Sequence, residues 1–245
     1  MSNNQAMNKT NDKIMQKHFF ITATDTDAGK TYFSCLLIKA LTKRNYKVAV
    51  YKPISAGCDE VVFNHKMTLI NEDARLLQQQ ANCRQPLTEI NPIAFKAAIA
   101  PHIAAKRLKQ QIKLINVEHG YQQVCQRKSD LIITEGAGGW RLPLGQGKFL
   151  SDFVKANQQS VILVVNIKLG CLNHALLSYE SIINDGVNCV AWVANFPEAT
   201  QASLPYIEEN ITELSDFLPI PLLAKLSHQP DLDLAVKQIN LDVLF

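Results

Sequence analysis

The 245-residue sequence has six cysteines, Cys35, Cys58, Cys83, Cys125, Cys171 and Cys189, but no C-x-x-C pair. Several of them sit inside apolar runs. That spacing offers neither a zinc signature nor a disulfide framework, and it suits buried thiols in a reducing compartment. No run approaches the ~18 apolar residues needed to span a bilayer. The opening stretch, MSNNQAMNKTNDKIMQK, is polar and lacks an apolar signal core. Residues 1–17 are therefore expected to be a disordered tail, and the protein to be cytoplasmic, with no membrane partner. Charge of one sign is also scarce: 25 Lys and Arg stand against 22 Asp and Glu, a net +3. The cations are scattered, which argues against a nucleic-acid partner. No internal repeat or low-complexity linker divides the chain. What remains is globular: 47% hydrophobic and 19% charged residues. The length suits one large α/β domain over residues 18–245 with a substantial core.

One further absence is local. The stretch FFITATDTDAGKTYFSCLLIKAL starts at Phe19 and contains Gly29-Lys30-Thr31. The usual phosphate-loop pattern, G-x-x-x-x-G-K-[ST], would need glycine at Thr24. The chemistry does not. A phosphate cradle needs consecutive inward N–H groups and a helix N-terminus behind them. It also needs a lysine for the β/γ-phosphates and a hydroxyl for Mg²⁺. Here an apolar strand precedes the loop. Phe33, Leu36, Leu37, Ala40 and Leu41 follow it at helical spacing.

Strand-like runs and helical patterns then alternate. KVAVYKP, DLIITE (130–135), SVILVVN (160–166), VNCVAWVAN (187–195) and PIPLLAKL (219–226) are the strands. Residues 72–80, 103–127, 151–157, 172–184 and 204–214 are the expected helices. Leu172, Ala175, Leu176, Tyr179, Ile182 and Ile183 form a stripe expected to face the core. Continuous apolar strands separated by helices imply a single doubly wound domain, a mostly parallel sheet flanked by helices, of the P-loop NTPase type. Ligands bind beyond the carboxyl ends of such strands.

Chemistry-bearing residues stand at those ends. Lys52 closes the second strand before Pro53, placed to face the same phosphates. Glu135 ends the third, where an acid partners the metal side of a phosphate loop. Gly136, Ala137 and Gly138 after it allow close backbone approach. Asp73, near a helix start, reads equally as a helix cap or as a site acid. Asn195 ends the fifth strand, where it either opens a turn or reads a nucleobase edge through its amide.

TATDTDAGKT, YKPISAG, EDA, NPIAF…APHIAA, EGAGGW, VILVVNIKLGCLNHALLS and WVAN occur in that order. Together they resemble the dethiobiotin synthetases, from about His18 to the 220s. The resemblance implies ligation of CO₂ to 7,8-diaminononanoate with ATP and Mg²⁺, giving the cyclic urea dethiobiotin. It implies a triphosphate held by Asp27, Ala28, Gly29, Lys30 and Thr31, and Mg²⁺ among Thr31, Asp73 and Glu135. Lys52 and Lys30 would be the catalytic cations, and Gly136 to Gly138 would border the nucleotide. Asn195 would bind adenine, with Ser227, His228 and Gln229 near the base. Thr26, Ser55 and Ala56 would face the substrate. The family is homodimeric, so Gly170, Cys171, Leu172, Asn173 and Tyr206 would complete the partner's substrate site.

The chain departs from that pattern in places. Ala23 stands for the family's loop glycine, Asp27 for its Glu, and Phe196 for an Asp. Ser227 replaces a proline. The family's substrate-facing hydroxyl falls at or beside Ala56, while Ser55 is one position earlier. The alternatives weighed are a cobyrinate-type amide synthase and a partition-type ATPase switch. The first usually carries an added glutaminase domain, for which no room remains. The second has a signature lysine where this chain has Asp25.

Overall fold

The computed structural model describes residues 16–63, 66–197, 204–227 and 231–245. Six parallel strands form the central sheet: β1 Lys17–Ala23, β2 Val48–Tyr51, β3 Leu131–Glu135, β4 Ser160–Asn166, β5 Cys189–Phe196 and β6 Leu222–Ser227. Their order across the sheet is β6-β5-β4-β1-β3-β2. The chain leaves β1 for the far edge, returns through β3, and then crosses to β4 on the other side. Crevices open where such a reversal occurs, so the loop after β1 lies at the switch point.

The strands read as unbroken apolar runs because both faces are covered. Side chains alternate between the faces. Ile21, Val48, Val50, Leu131, Ile133, Ile162 and Val164 pack on one side with α1 (Lys30–Lys43), α2 (Glu72–Gln80) and the C-terminal residues Leu241 and Leu244. Phe20, Ala49, Tyr51, Ile132, Val161 and Leu163 pack on the other. That side is covered by α4 (Leu114–Cys125), α5 (Leu150–Ala156), α6 (Cys171–Asn184) and α7 (Leu204–Phe217), with α3 (Pro101–Arg107) alongside. The six thiols are free, and all but Cys125 are buried. No helix among the described residues is long and apolar enough to cross a membrane.

Three sequence expectations shift. The helix expected over 103–127 is two helices, α3 and α4. Helix α3 ends in a Schellman turn: Gln110 N–H donates to Ala105 O at 2.9 Å, and Lys109 N–H to Lys106 O at 3.0 Å. Lys109 takes the left-handed conformation, φ 55, where glycine is the usual signal. On α6, Ala175 and Ile182 are buried as expected, but Ile183 is 43% exposed. Strand β1 starts at Lys17, and the Gln16 amide donates to Ser129 Oγ at 2.9 Å, so the domain begins before His18. The rest of the expected tail, residues 1–15, lies outside the described residues.

Candidate active site

Strand parity builds the site. Lys52 and Glu135 follow the α1-facing residues Val50 and Ile133 at the two-residue spacing of a strand. Tyr51 pairs with Thr134 across the ladder, so Lys52 and Glu135 come level on neighbouring strand ends. Their side chains meet: Lys52 Nζ is 2.6 Å from Glu135 Oε1. Both are buried, at 3% and 0% exposure. A lone buried charge would be costly, and the pair makes each one tolerable. Burial alone would lower the Lys52 pKa, but Glu135 and then Asp73 outweigh it and hold the ammonium above its usual range.

Helices α1 and α2 supply the rest. Thr31, in the first turn of α1, donates from Oγ1 to Glu135 Oε1 at 2.9 Å. Asp73 Oδ2 is 3.2 Å from Lys52 Nζ. The two readings of Asp73 are thereby separated. Asn71 is the cap, its side chain accepting from Ala74 N–H at 3.2 Å, which leaves the Asp73 carboxylate to the site. Lys30 Nζ donates to Asp25 O at 3.2 Å. Burial pushes the Lys30 pKa down to about 8, with the neighbouring Lys52 adding to the fall and Glu135, Asp73 and Asp27 opposing it. A phosphate beside that ammonium would raise its pKa again.

The loop explains its missing glycine. Thr24 N–H donates to Val164 O at 3.0 Å, so Thr24 still belongs to the ladder. Neither Ala23 nor Thr24 takes a positive φ; within the loop that falls to Asp27 (φ 57) and Gly29 (φ 90). The backbone demand for glycine is therefore at Gly29 alone. Asn195 sits beneath it. Strand parity turns Asn195 toward α1, as it does Ala191 and Val193. Its Nδ2 donates to Ala28 O at 2.9 Å. Asn195 thus ties the phosphate loop down, and it lies within the strand rather than opening a turn. Its Oδ1 is buried with no hydrogen-bond partner among the described residues.

These groups line one cleft of about 850 Å³. Thr26, Asp27, Gly29, Lys30, Thr31, Lys52, Asp73 and Glu135 are on its walls, with Gly136, Ala137, Gly138, Ser55 and Ala56. The structure does not bring every expected residue there. Ala28 is buried behind the loop. Ser55 lines the cleft but is 2% exposed, its hydroxyl donating to Asn91 Oδ1 at 2.6 Å and lying 3.1 Å from Cys58 Sγ. Gly170, Cys171, Leu172 and Asn173, at the start of α6, and Tyr206 on α7 are absent from the cleft walls. Ser227 ends β6 outside it, and His228 and Gln229 lie outside the described residues. Sequence reasoning missed Asn71, Asn91, Ala98, Ile99 and Pro101. Asn71 and the 98–101 stretch line the cleft; the capping pattern of Asn71 before Glu72-Asp73-Ala74 was a readable signal for the first.

The residues fit a divalent cation in one respect that geometry decides. Glu135 Oε2 is buried and has no partner among the described residues. A buried carboxylate oxygen left bare costs free energy, and it is a hard donor of the kind Mg²⁺ prefers. The Thr31 hydroxyl donates to the other oxygen, Oε1, and the Asp73 carboxylate shares Lys52 with Glu135.

A parallel doubly wound sheet with a glycine–lysine–threonine loop at its switch point defines a phosphate-loop nucleotide-binding protein. Residues 17–235 match the family model described as an AAA domain. Among solved structures, the MinC:MinD cell division protein complex of Aquifex aeolicus superposes with TM-score 0.53 at 13% identity, covering 94% of this chain and 89% of that one, a likeness of fold alone. Among curated relatives, the ATP-dependent dethiobiotin synthetase BioD of Pseudoalteromonas translucida is 43% identical over 85% of this chain and 88% of its own length. The same-named protein of Aeromonas salmonicida is 43% identical over 86% of this chain and 91% of its own. That of Pseudomonas aeruginosa is 36% identical over 92% and 96%. The chain belongs to the ATP-dependent dethiobiotin synthetase family.

Proposed function

We propose that this protein joins CO₂ to the two amines of 7,8-diaminononanoate, with ATP and Mg²⁺, to give dethiobiotin, ADP and phosphate in the cytoplasm. The observation that carries the reading is the Lys52 ammonium, held between Glu135 and Asp73 in a cleft shared with Lys30 and the phosphate loop. One substrate amine becomes a carbamate, whose oxygen attacks the γ-phosphate; the second amine then displaces phosphate and closes the ring. The chain's part is positioning and charge neutralisation. Lys30 and the N–H groups from Asp27 to Thr31 bind the triphosphate. Lys52 neutralises charge that builds between the carbamate and the transferring phosphoryl group. Thr31, Asp73 and Glu135 would hold Mg²⁺, which when bound neutralises phosphate charge. In the same proposal Asn195 would serve the adenine side of the site from beneath the loop, through the amide oxygen that its bond to Ala28 leaves without a partner among the described residues. Residues 227–229 border the base in the same proposal.

The protein is proposed to act as a homodimer. Leu169 is fully exposed just before α6, Tyr206 is 68% exposed on α7, and Leu177 and Phe217 extend the same two helices with exposed apolar surface. Such surface on neighbouring helices suits a second copy. Gly170 to Asn173 and Tyr206 would then serve the partner's cleft. The cytoplasmic placement and the tail-plus-domain division, a polar tail before a single catalytic domain, belong to the same proposal.

Incubation of the purified protein with diaminononanoate, bicarbonate, Mg²⁺ and ATP is expected to yield dethiobiotin and ADP in equal amounts by mass spectrometry. ADP release without dethiobiotin would sink the reading. A second expectation concerns the cleft wall at Ala56. Because the Ser55 hydroxyl already donates to Asn91, Ala56→Ser would add a second hydroxyl at that point of the wall. A net hydrogen bond is worth roughly 0.5–1.5 kcal/mol. The KM for diaminononanoate should therefore stay level or fall by up to about tenfold, with the KM for ATP unmoved. A large rise would show that Ala56 packs against the substrate rather than lacking a contact to it.

A further inference from the structure

Strand β2 is the open edge of the sheet, and its outward main-chain groups are met one by one by the segment 82–91. Val48 N–H donates to Asn82 Oδ1 at 2.8 Å, and Val48 O accepts from Cys83 N–H at 3.2 Å. The Gln85 amide does both tasks at Val50, accepting from its N–H at 2.8 Å and donating to its carbonyl at 3.1 Å. Lys52 N–H then donates to Ile90 O at 2.8 Å. The last link is a side chain: Asn91 Nδ2 donates to Lys52 O at 2.7 Å and lies 3.5 Å from Ile93 O. Its Oδ1 accepts from Ser55 Oγ at 2.6 Å. Two carbonyl oxygens face one end of the amide, so only the nitrogen can stand there.

We infer that Asn91 is a positioning residue for Lys52, clamping the Lys52 peptide from outside the cleft so that its ammonium stays on the line of phosphoryl transfer. Asn91 is not on the cleft wall, and its side-chain hydrogen bonds go to Lys52, Ser55 and Ile93. It acts through the main chain of the lysine and touches no substrate. Pro92, the next residue of the facing segment, has no N–H, so the amide of Asn91 supplies to Lys52 O the donor that the main chain there lacks. The inference rests on the proposed role of Lys52, and its test keeps the two apart.

The test is a double-mutant cycle on dethiobiotin formation by the full chain. Asn91→Ala should lower kcat about 10- to 100-fold, since a displacement near 1 Å is enough for such a loss. Nucleotide Kd should move less than about twofold. In a Lys52→Gln background the same change should alter kcat by less than about twofold, because the group being positioned is gone. Asn91→Asp keeps the shape and the Ser55 contact but has no donor for Lys52 O; it should share the loss, and it covers an Asn91→Ala chain that fails to fold. Equal losses in both backgrounds, or wild-type kcat in Asn91→Asp, would overturn the inference while leaving the function intact. Wild-type kcat in Lys52→Gln alone would remove the role of Lys52 and the inference with it.

Discussion

Lys52→Gln is expected to reduce kcat by about 10²–10³-fold, the range seen when one preorganised donor is removed from a site of developing charge. ATP affinity should change only a few-fold, because the loop residues from Asp27 to Thr31 remain. The split follows from geometry. In the free protein the ammonium is engaged by Glu135 and Asp73, not by the phosphate loop. Its charge matters when negative charge gathers in the transition state, and such interactions act on the chemical step. Glutamine is the informative substitution because its amide can still donate to Glu135 Oε1. Lys52→Met has no donor and would leave the buried carboxylate with the Thr31 hydroxyl as its remaining hydrogen-bond donor among the described residues; it should melt at a clearly lower temperature than Lys52→Gln. Single-turnover kinetics with ATP saturating measures the step directly. Normal turnover at saturation with weakened ATP binding would make Lys52 a binding residue only.

The parts of this site that were legible in the sequence share a cause. The phosphate loop, Lys52 and Glu135 are all set by position along a strand, and strand ends can be read from apolar runs. Parity then places Lys52 and Glu135 on the α1 face without further information. Asp73 was ambiguous because its place in the first turn of a helix satisfies a capping role and a site role equally well. The choice rested on which neighbour capped, and Asn71 does. Asn91 and Gln85 were illegible for a different reason. Each bonds main chain some 35 to 39 residues away through a side-chain amide, a contact with no periodicity; Asn91 opens the NPIAF block, but nothing in that block names its partner. Lys109 hid the end of α3 because it stands where glycine would have signalled the turn. The short hairpin formed by Asp59–Phe63 and Lys66–Ile70 carries no Asn-Gly or Asp-Gly pair to announce it. Asn195 was placed on the right strand end, but burial gave its amide a task within the protein that no ligand-based expectation contained.

Gly29→Ala should be the most damaging small substitution in the loop, for two separable reasons. At φ 90 a Cβ brings backbone strain of order 1–3 kcal/mol. That Cβ would also lie 2.1 Å from Asn195 Nδ2 and 2.8 Å from its Cγ. The amide has nowhere to go. Asn195 is 2% exposed, its side chain is short, and its Nδ2 is bonded to Ala28 O. The loop must lift instead, which breaks that bond and turns the N–H groups of the cradle away from the phosphates. Nucleotide affinity is expected to fall at least about a hundredfold, a scale consistent with losing several charge-assisted hydrogen bonds at once. Isothermal titration with ADP and Mg²⁺ measures it, and unchanged affinity would mean that the loop does not hold phosphate. Thermal unfolding separates the two causes. Adding Asn195→Ala to Gly29→Ala removes the collision but keeps the strain at φ 90. The double variant should therefore melt above the Gly29→Ala single, although Asn195→Ala alone melts below the wild type. If the double melts below both singles, the two changes merely add, and the contact between Gly29 and Asn195 is not what confines the loop.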